Sequence, residues 1–394
     1  MCSNNIIKFL GLKGVNIKNV RRLDHSIEIS MSLKRSKPKC CPHCGNKVLH
    51  YHDSRTQRLR DTPYQNKHVY FLLKRTRYKC PCCNKKSQIT PDFIIKGHQI
   101  TKRLFFYIFE EFGKMKSTSD ISKECGISVT TILRYIDTIK LERLEIPEVL
   151  CIDEFKGDSG GEKYQVNLAD GRNHKIVDIL LSRKQDYLFD YFLKIPHEER
   201  KAVEYFVSDM STVFRSVHSH FFPKSIHVID KYHFIRQVLW TLERVRKREQ
   251  GKMPYKDRVK FKRSKSLLQK NANSLTDEEM LKVANMLEHN EAIRHAYYLK
   301  ETFYKYVLVQ NNKEDARIAL DTWIEEAETK GDREWKTCIK AFKNWKEPIL
   351  NSFDVPWTNG YVEGTHNRIK TLKRISFGMP NFNHFRTKIL ATIS

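Results

Sequence analysis

Two cysteine knuckles restrict the amino-terminal part of this chain more than any other feature: Cys40-Cys41-Pro42-His43-Cys44 and Cys80-Pro81-Cys82-Cys83. Thiolates two residues apart can share one ion, so two such knuckles draw distant stretches of chain to a single point. Taking Cys41, Cys44, Cys80 and Cys83 as ligands gives two Cys-x2-Cys pairs separated by 35 residues. This is the donor set of a tetrahedral, structural Zn2+, whose binding energy replaces the core that so small a β-rich unit lacks. The separation exceeds the commonest zinc-ribbon spacing, Cys40 and Cys82 stand as alternates, and without metal the same residues are reduced thiols. Cys2, Cys125, Cys151 and Cys338 are scattered and read as small apolar core residues. No apolar run approaches the roughly 20 residues of a bilayer span, and no basic start leads into an apolar signal core. The expectation is a soluble, cytoplasmic protein with no membrane partner.

Charge points to the partner. Lysine and arginine total 72 against 46 acids, a formal net charge of +26 in a chain that is 40% hydrophobic. Such a chain has the apolar content to fold, and its cations fit a phosphate polyanion, which releases bound counterions when they neutralise it. Double-stranded DNA is the expected partner. Around the knuckles Arg55, Arg58, Arg60, Lys67, Lys74, Arg75, Arg77 and Lys79 extend a structural zinc site toward DNA contact. Next comes an apolar-periodic helix near Lys102 to Phe112, then a second helix after Ser117, a turn at Cys125-Gly126-Ile127 and a third helix opened by Ser128. Helical hairpins are common in ordinary cores. Beside a basic zinc-binding unit, this one reads as a helix-turn-helix with Thr130, Thr131 and Arg134 directed at the major groove.

The pattern changes at Glu148. Apolar runs at 148–153, 163–170 and 175–182, joined through Gly160-Gly161 and Gly171, predict an antiparallel meander. A helix near 185–194, a strand at 203–209, a helix at 213–221 and a strand at 225–230 follow. The fold class is therefore α/β, and the order βββαβαβ is that of a ribonuclease H-like core with a mixed sheet. Its first and fourth strands are neighbours, which would bring the strand-end acids Asp153 and Asp209 together. From Val238 to about Ile349 the pattern is helical and polar, an all-helical insertion. Within it Arg244 to Lys270 carries twelve basic residues against two acids, either a solvated hairpin or, as favoured here, a phosphate-tracking surface. A last helix from Gly360 sets Glu363, Asn367, Lys370 and Arg374 on one face. The domains so expected are 1–98 (zinc-binding), 99–147 (helix-turn-helix), 148–237 (core, first part), 238–350 (helical insertion) and 351–394 (core, last part, with the Glu363 helix). No internal repeat, phosphate-binding glycine loop or nucleophile elbow stands out, which argues against a nucleotide-driven enzyme or a serine hydrolase.

Phosphodiester chemistry needs an activated oxygen nucleophile and stabilisation of the leaving oxygen, both of which two divalent ions can supply. Mg2+ or Mn2+ takes hard oxygen ligands, and three acids on separate elements meet that need. A single strand-end aspartate is more often an ordinary turn or cap. All three in this order weigh more.

At this point the residues resemble a known family. Cys151-Ile152-Asp153-Glu154-Phe155, Val207-Ser208-Asp209-Met210-Ser211, Val228-Ile229-Asp230-Lys231-Tyr232-His233-Phe234 and the block from Asn359-Gly360-Tyr361-Val362-Glu363-Gly364-Thr365 to Lys373-Arg374-Ile375-Ser376-Phe377-Gly378 look like the DDE transposases of bacterial insertion sequences, ISL3 type. The likeness covers nearly the whole chain. It implies Mg2+-dependent cleavage and strand transfer at an element's terminal inverted repeats, target DNA as second substrate, a homodimer or larger assembly on paired ends, and residence at the nucleoid. Asp153 and Glu363 would be the first and third catalytic acids. Both Asp209 and Asp230 sit in family-like runs. Asp209 is chosen as the second because its strand abuts the first, with Asp230 and His233 a neighbouring polar pair. Asn367, Lys370 and Arg374 would grip phosphate, and His366 stands where the family often has asparagine. A transposase-derived regulator without catalysis and a structure-specific nuclease are the rival readings.

Overall fold

The computed structural model describes residues 11–261 and 264–393, so Cys2, Lys262 and Arg263 lie outside the described residues. The chain divides into two compact units, Met1–Leu141 with Lys370–Ser394, and Glu142–Ile369.

In the first unit, β1 (Val15–Arg22), β2 (Ser26–Leu33), β3 (His50–Tyr64), β4 (Lys67–Lys79) and the short β5 (Lys86–Ser87) form one sheet of order β1-β2-β4-β3, with β5 paired to β4. The β2–β4 pair is parallel and the others are antiparallel, so the sheet is mixed. The β3–β4 hairpin closes through Gln65 and Asn66 at φ of 48° and 58°, the left-handed pair whose twist suits a two-residue turn. Val15, Ile29, Met31, Leu59, Phe71 and Leu73 fill the core on one face. Strand β3 has no apolar alternation to announce it; it is a polar edge strand, held by its ladder to β4.

Helices α1 (Lys102–Phe112), α2 (Thr118–Cys125) and α3 (Val129–Asp137) follow. Thr101, Ser117 and Ser128 cap them by accepting from Leu104, Asp120 and Thr131 N–H. Gly126 ends α2 at φ +60°, and a Cβ there would meet His68 at 2.8 Å, so both backbone and packing require glycine. Buried Asp61 of β3 accepts from Thr101 Oγ1 at 2.6 Å and Arg103 Nε at 2.7 Å. That bond set fuses sheet and helices.

In the second unit β6 (Val149–Ser159), β7 (Glu162–Asp170), β8 (Lys175–Leu180), β9 (Tyr205–Ser208) and β10 (Ile226–Ile229) form a mixed sheet of order β10-β9-β6-β7-β8. The first three are an antiparallel meander, and β9 and β10 add in parallel beside β6. Helices α4 (Gln185–Leu193), α5 (His197–Lys201) and α6 (Thr212–Phe221) interrupt the strands. Phe192, Phe214 and Val217 pack on Leu150, Ile152 and Leu168, covering one face.

Helix α7 (Lys231–Lys252) leaves β10 directly and opens the helical region α8 (Tyr255–Lys260), α9 (Ser264–Gln269), α10 (Asp277–His289), α11 (Glu291–Thr302), α12 (Lys313–Lys330), α13 (Trp335–Asn344) and α14 (Lys346–Asn351). Phe234, Phe303, Trp323, Trp335 and Phe342 form its aromatic core. The basic stretch 244–270 is partly compensated from within. Arg248 meets Glu249, Asp332 and Glu334, Arg246 meets Glu243, and Lys270 meets Glu279.

Two helices close the chain, α15 (Gly360–Ile375) and α16 (Phe382–Ile393). The expected last domain, 351–394, is divided, since Lys370–Ser394 groups with the amino-terminal unit. The cause is local. Lys388 of α16 is fully buried, and its Nζ donates to the carbonyls of Phe112, Lys114 and Lys116 at the end of α1. Among the described residues no helix is long and apolar enough to cross a membrane.

Candidate active site and metal centre

Alternation along the second sheet decides where its acids go. Val149, Cys151, Ala169, Val207, Val228 and Val362 form a cluster on the face opposite α4 and α6. In a strand, residues two apart share a face, so Asp153 follows Cys151 onto this side, Asp209 follows Val207 and Asp230 follows Val228. Register aligns them: Cys151 pairs with Val207, and Val207 with Val228. Asp209 and Asp230 therefore follow the carboxyl ends of β9 and β10 at the level of Asp153, which is not at a strand end as its apolar run suggested: β6 continues past it to Ser159, paired with β7.

Helix α15 lies over the same face. Val362 is fully buried in the cluster, and Asn359 Nδ2 donates to the Ile152 carbonyl at 3.3 Å, one residue before Asp153. Glu363, next along, is exposed. Electrostatics report the proximity of these acids. Burial first, then the charge of Asp209, pushes Asp153 up to about 7. Burial also lifts Asp209 to about 6, with Glu154 adding repulsion against the N–H of Ser211 and the charges of Arg236 and Arg183. Asp230 is raised as well, by burial and by Glu363, against N–H donation from Asn359. Carboxylates crowded at a partly dry rim and only partly compensated by these donors and cations are unfavourable. Hard oxygen donors in that state suit a divalent cation, and in this sense the residues fit one. Among the described residues, however, the only potential ligand group with all donor atoms within 4.8 Å of one another is the cysteine set.

His366, noted in the sequence as standing where the family often has asparagine, has its Nδ1 3.8 Å from Asp153 Oδ2. Two contributors escaped the sequence reading: Arg183 Nη1 donates to both Glu154 oxygens at 2.8 and 2.7 Å, and Asn167 is the ladder partner of Asp153. Asn167 is fully buried, and neither atom of its amide has a hydrogen-bond partner. The buried polar character of Asn167 was the one available signal; nothing in the sequence tied Arg183 to Glu154. His233, noted beside Asp230, is buried and held neutral, its pKa lowered to about 4 by burial.

The other centre is in the first unit. Cys41 Sγ is 3.6 Å from Cys83 Sγ, and Cys44 Sγ is 3.5 Å from Cys80 Sγ. Zinc–sulfur bonds of about 2.3 Å set tetrahedral sulfurs about 3.8 Å apart, so the four thiols fit Zn2+. The two knuckles share one backbone design. Gly45 N–H returns to the Cys41 carbonyl at 2.9 Å, and Asn84 N–H to that of Cys80 at 3.0 Å, with Gly45 and Asn84 both at positive φ. N–H donation from His43 lowers Cys41 to about 7, and donation from Cys83 lowers Cys80. Their partners move the other way: against N–H donation from Asn46, the neighbouring Cys80 thiol takes Cys44 up to about 12, and against donation from Lys85, burial moves Cys83 upward. Two of the four thiols are thus disposed to ionise, and the other two need a cation to do so. Cys40 and Cys82 are exposed and outside the group. Cys125, Cys151 and Cys338 are buried, and burial pushes each thiol up to about 12, as expected of core residues.

The candidate DNA contacts are distributed. Thr130 and Arg134 are exposed on α3, whereas Thr131 is half-buried with its Oγ1 2.9 Å from Ser128 Oγ. Asn367, Lys370 and Arg374 are exposed along α15 with Glu363. Of the basic residues near the knuckles, Arg77 is bound to Asp53, Arg75 to Gln57 and the Ile89 carbonyl, Arg60 to Tyr70, and Lys67 to the Leu23 carbonyl. These four hold the sheet together, which leaves Arg55, Lys74 and Lys79 more exposed.

Comparison with known proteins follows the same two centres. Residues 150–389 match the family model described as transposase, of the DDE ISL3 type, and residues 37–83 match the zinc finger of transposase IS204/IS1001/IS1096/IS1165. The chain is similar to the transposase for insertion sequence element IS1001 of Bordetella parapertussis, 23% identical over 97% of this chain and 96% of that protein. It is also similar to the transposase for insertion sequence element IS1557 of Mycobacterium tuberculosis, 28% identical over 32% of this chain and 28% of that one.

Proposed function

The chain belongs to the ISL3 family of DDE transposases, and on that premise we propose that it binds the terminal inverted repeats of an insertion sequence and carries out Mg2+-dependent cleavage and strand transfer, with Asp153, Asp209 and Glu363 as the catalytic acids. The observation that carries the assignment is the register of the second sheet. It sets Asp153 and Asp209 level on adjacent parallel strands, with the helix of Glu363 anchored on β6 through Asn359 and Val362. The order 3-2-1-4-5 of that sheet supports reading it as a ribonuclease H-like core. Asp230 stands one strand further from β6, about 4.8 Å more. Its own surroundings are His233 Nε2 at 3.9 Å and the charge of Glu363, which suit a supporting role.

Asp153, Asp209 and Glu363 would hold the divalent ions, which supply positive charge at the scissile phosphate and a lowered pKa for attacking water. The chain's own residues do the rest. Raised carboxylate pKa values mean that the acids gain most when cations neutralise them, and the bidentate Arg183–Glu154 pair and the Asn359 anchor fix the rim. Asn367, Lys370 and Arg374 would bind phosphate along α15, and Thr130, Thr131 and Arg134 would read the repeat from a helix-turn-helix formed by α2 and α3. Cys41, Cys44, Cys80 and Cys83 would hold one structural Zn2+. Two element ends must be handled together, which fits a homodimer, and the working place would be the cytoplasmic nucleoid.

The test uses duplexes carrying the inverted repeats that flank the coding region. Asp209→Asn should bind them as wild type does and give no Mg2+-dependent product. Full cleavage by that variant, with loss in Asp230→Asn, would transfer the role to Asp230.

A further inference from the structure

Helix α7 begins one residue after Asp230 and carries a stripe of two exposed aromatic rings about a half-buried arginine, and the proposed chemistry leaves the two rings without a role. Its inner face is ordinary: Phe234, Val238, Leu242 and Val245 are buried in the helical core. Its outer face presents Tyr232, Arg236 and Trp240, spaced four residues apart and so stacked along one side over about 12 Å. Tyr232 is 53% and Trp240 48% exposed. The Arg236 guanidinium lies between them, its Cζ 5.5 Å from the Tyr232 ring centre and 4.5 Å from that of Trp240. Of the five tryptophans, Trp323, Trp335 and Trp345 are buried and Trp357 is half-buried. Trp240 alone is exposed.

This stripe is wired to the acids. Arg236 Nη2 donates to His233 Nδ1 at 3.1 Å, and His233 Nε2 is 3.9 Å from Asp230 Oδ2. Further along the helix Arg244 and Lys247 are exposed. The surface thus offers aromatic faces held in place by a cation, further cations along the same helix, and carboxylates at one end.

We propose that Tyr232, Arg236 and Trp240 form a stacking platform for one or two unpaired nucleotides beside the scissile phosphate, the cations taking the flanking phosphates. A buried hydrocarbon partner would not need Arg236 between the rings, whereas a nucleobase stacks on indole, phenol and guanidinium alike and brings the negative charge that the stripe complements. The physical demand is plain: one strand's phosphate has to reach carboxylates at the end of a sheet, so the adjoining bases leave the duplex stack and gain from a replacement surface. The proposal rests on the transposase reading, and its test separates the two.

The full-length chain is titrated with a twelve-nucleotide oligothymidylate and with a mixed-sequence duplex of the same length, reading tryptophan emission and affinity. The single strand should quench wild-type emission. Trp240→Leu should abolish that quench and weaken single-strand binding about 5- to 150-fold, the equivalent of about 1–3 kcal/mol per stacked base at 1.4 kcal/mol per tenfold. Duplex affinity and melting temperature should not change. Trp240→Phe, which keeps an aromatic face, should retain most of the affinity, and Tyr232→Ala should weaken the single strand while preserving the Trp240 quench. Quenching that survives in Trp240→Leu, or an equal loss on both DNAs, would overturn the platform alone. Wild-type protein that binds neither DNA would overturn the proposed function.

Discussion

Replacing Asp153 by asparagine should make the metal-free protein more stable while ending its metal response. The side chain is 14% exposed, and its pKa stands at about 7 against an ordinary 3.8, through burial first and the charge of Asp209 second. The folded protein therefore holds this proton more tightly than the unfolded chain does. The destabilisation is absent below about pH 3.8, grows as pH rises and is complete above about 7. At about 1.4 kcal/mol per pH unit, keeping the carboxylate ionised at pH 8 opposes folding by on the order of 4 kcal/mol as an upper figure. Asparagine removes the charge and keeps the acceptor that Asp153 Oδ1 offers to the Glu154 N–H at 2.8 Å. With roughly 2–4 °C per kcal/mol for a unit of this size, Asp153→Asn should melt about 5–15 °C above wild type in EDTA at pH 8. Its gain should be less than half as large at pH 5. Addition of Mg2+ should raise the wild-type melting temperature, by about 2.7 kcal/mol at one hundred times the dissociation constant, and leave the variant unmoved. Calorimetric or fluorescence melts at the two pH values, with and without Mg2+, measure all of this. A variant that melts below wild type at pH 8, or that responds to Mg2+ as wild type does, would refute the view of Asp153 as a strained ligand awaiting a cation.

Two further outcomes follow from the first unit. Cys44→Ser removes one of four thiolates; sharing about 10–16 kcal/mol of binding energy among them puts the loss near 3 kcal/mol, or roughly 100-fold in zinc affinity. Metal analysis after competition with a chelator should find zinc in the wild type and none in the variant, and a variant that keeps stoichiometric zinc would remove Cys44 from the ligand set. Lys388→Met leaves the carbonyls of Phe112, Lys114 and Lys116 without the buried ammonium that they share; the Lys114 carbonyl keeps the Lys116 N–H at 2.8 Å, and for the other two, at about 1–3 kcal/mol for each unsatisfied group, the first unit should be destabilised by about 2–6 kcal/mol. Urea unfolding followed through that unit checks it, and a change below about 1 kcal/mol would mean that α16 is held by its apolar contacts alone.

Legibility differed sharply between elements. Helix α1 falls at Lys102–Phe112, where the apolar period placed it, and the meander β6–β8 begins within a residue or two of its predicted starts, because alternation and glycine turns are local signals. Strand β3 was invisible for the opposite reason: a polar edge strand takes its conformation from its partner, and HYHDSRTQRLRDTPY has no period of its own. The return of Lys370–Ser394 to the amino-terminal unit was equally hidden, since a buried lysine reads in sequence as a surface one until the three carbonyls that receive it are known.

The order of elements from Glu148 to Asp230, the two knuckles and the candidate acids can be read from the sequence by itself, because each rests on residue type and short spacing. Tertiary structure alone decided what stands beside what. Strand register set Asp153, Asp209 and Asp230 level on one face, helix packing brought His366 within 3.8 Å of Asp153, and pairing with acids from distant helices took Arg248 out of the phosphate-facing surface. Such neighbours depend on contacts between residues scores of positions apart, and no local pattern records them.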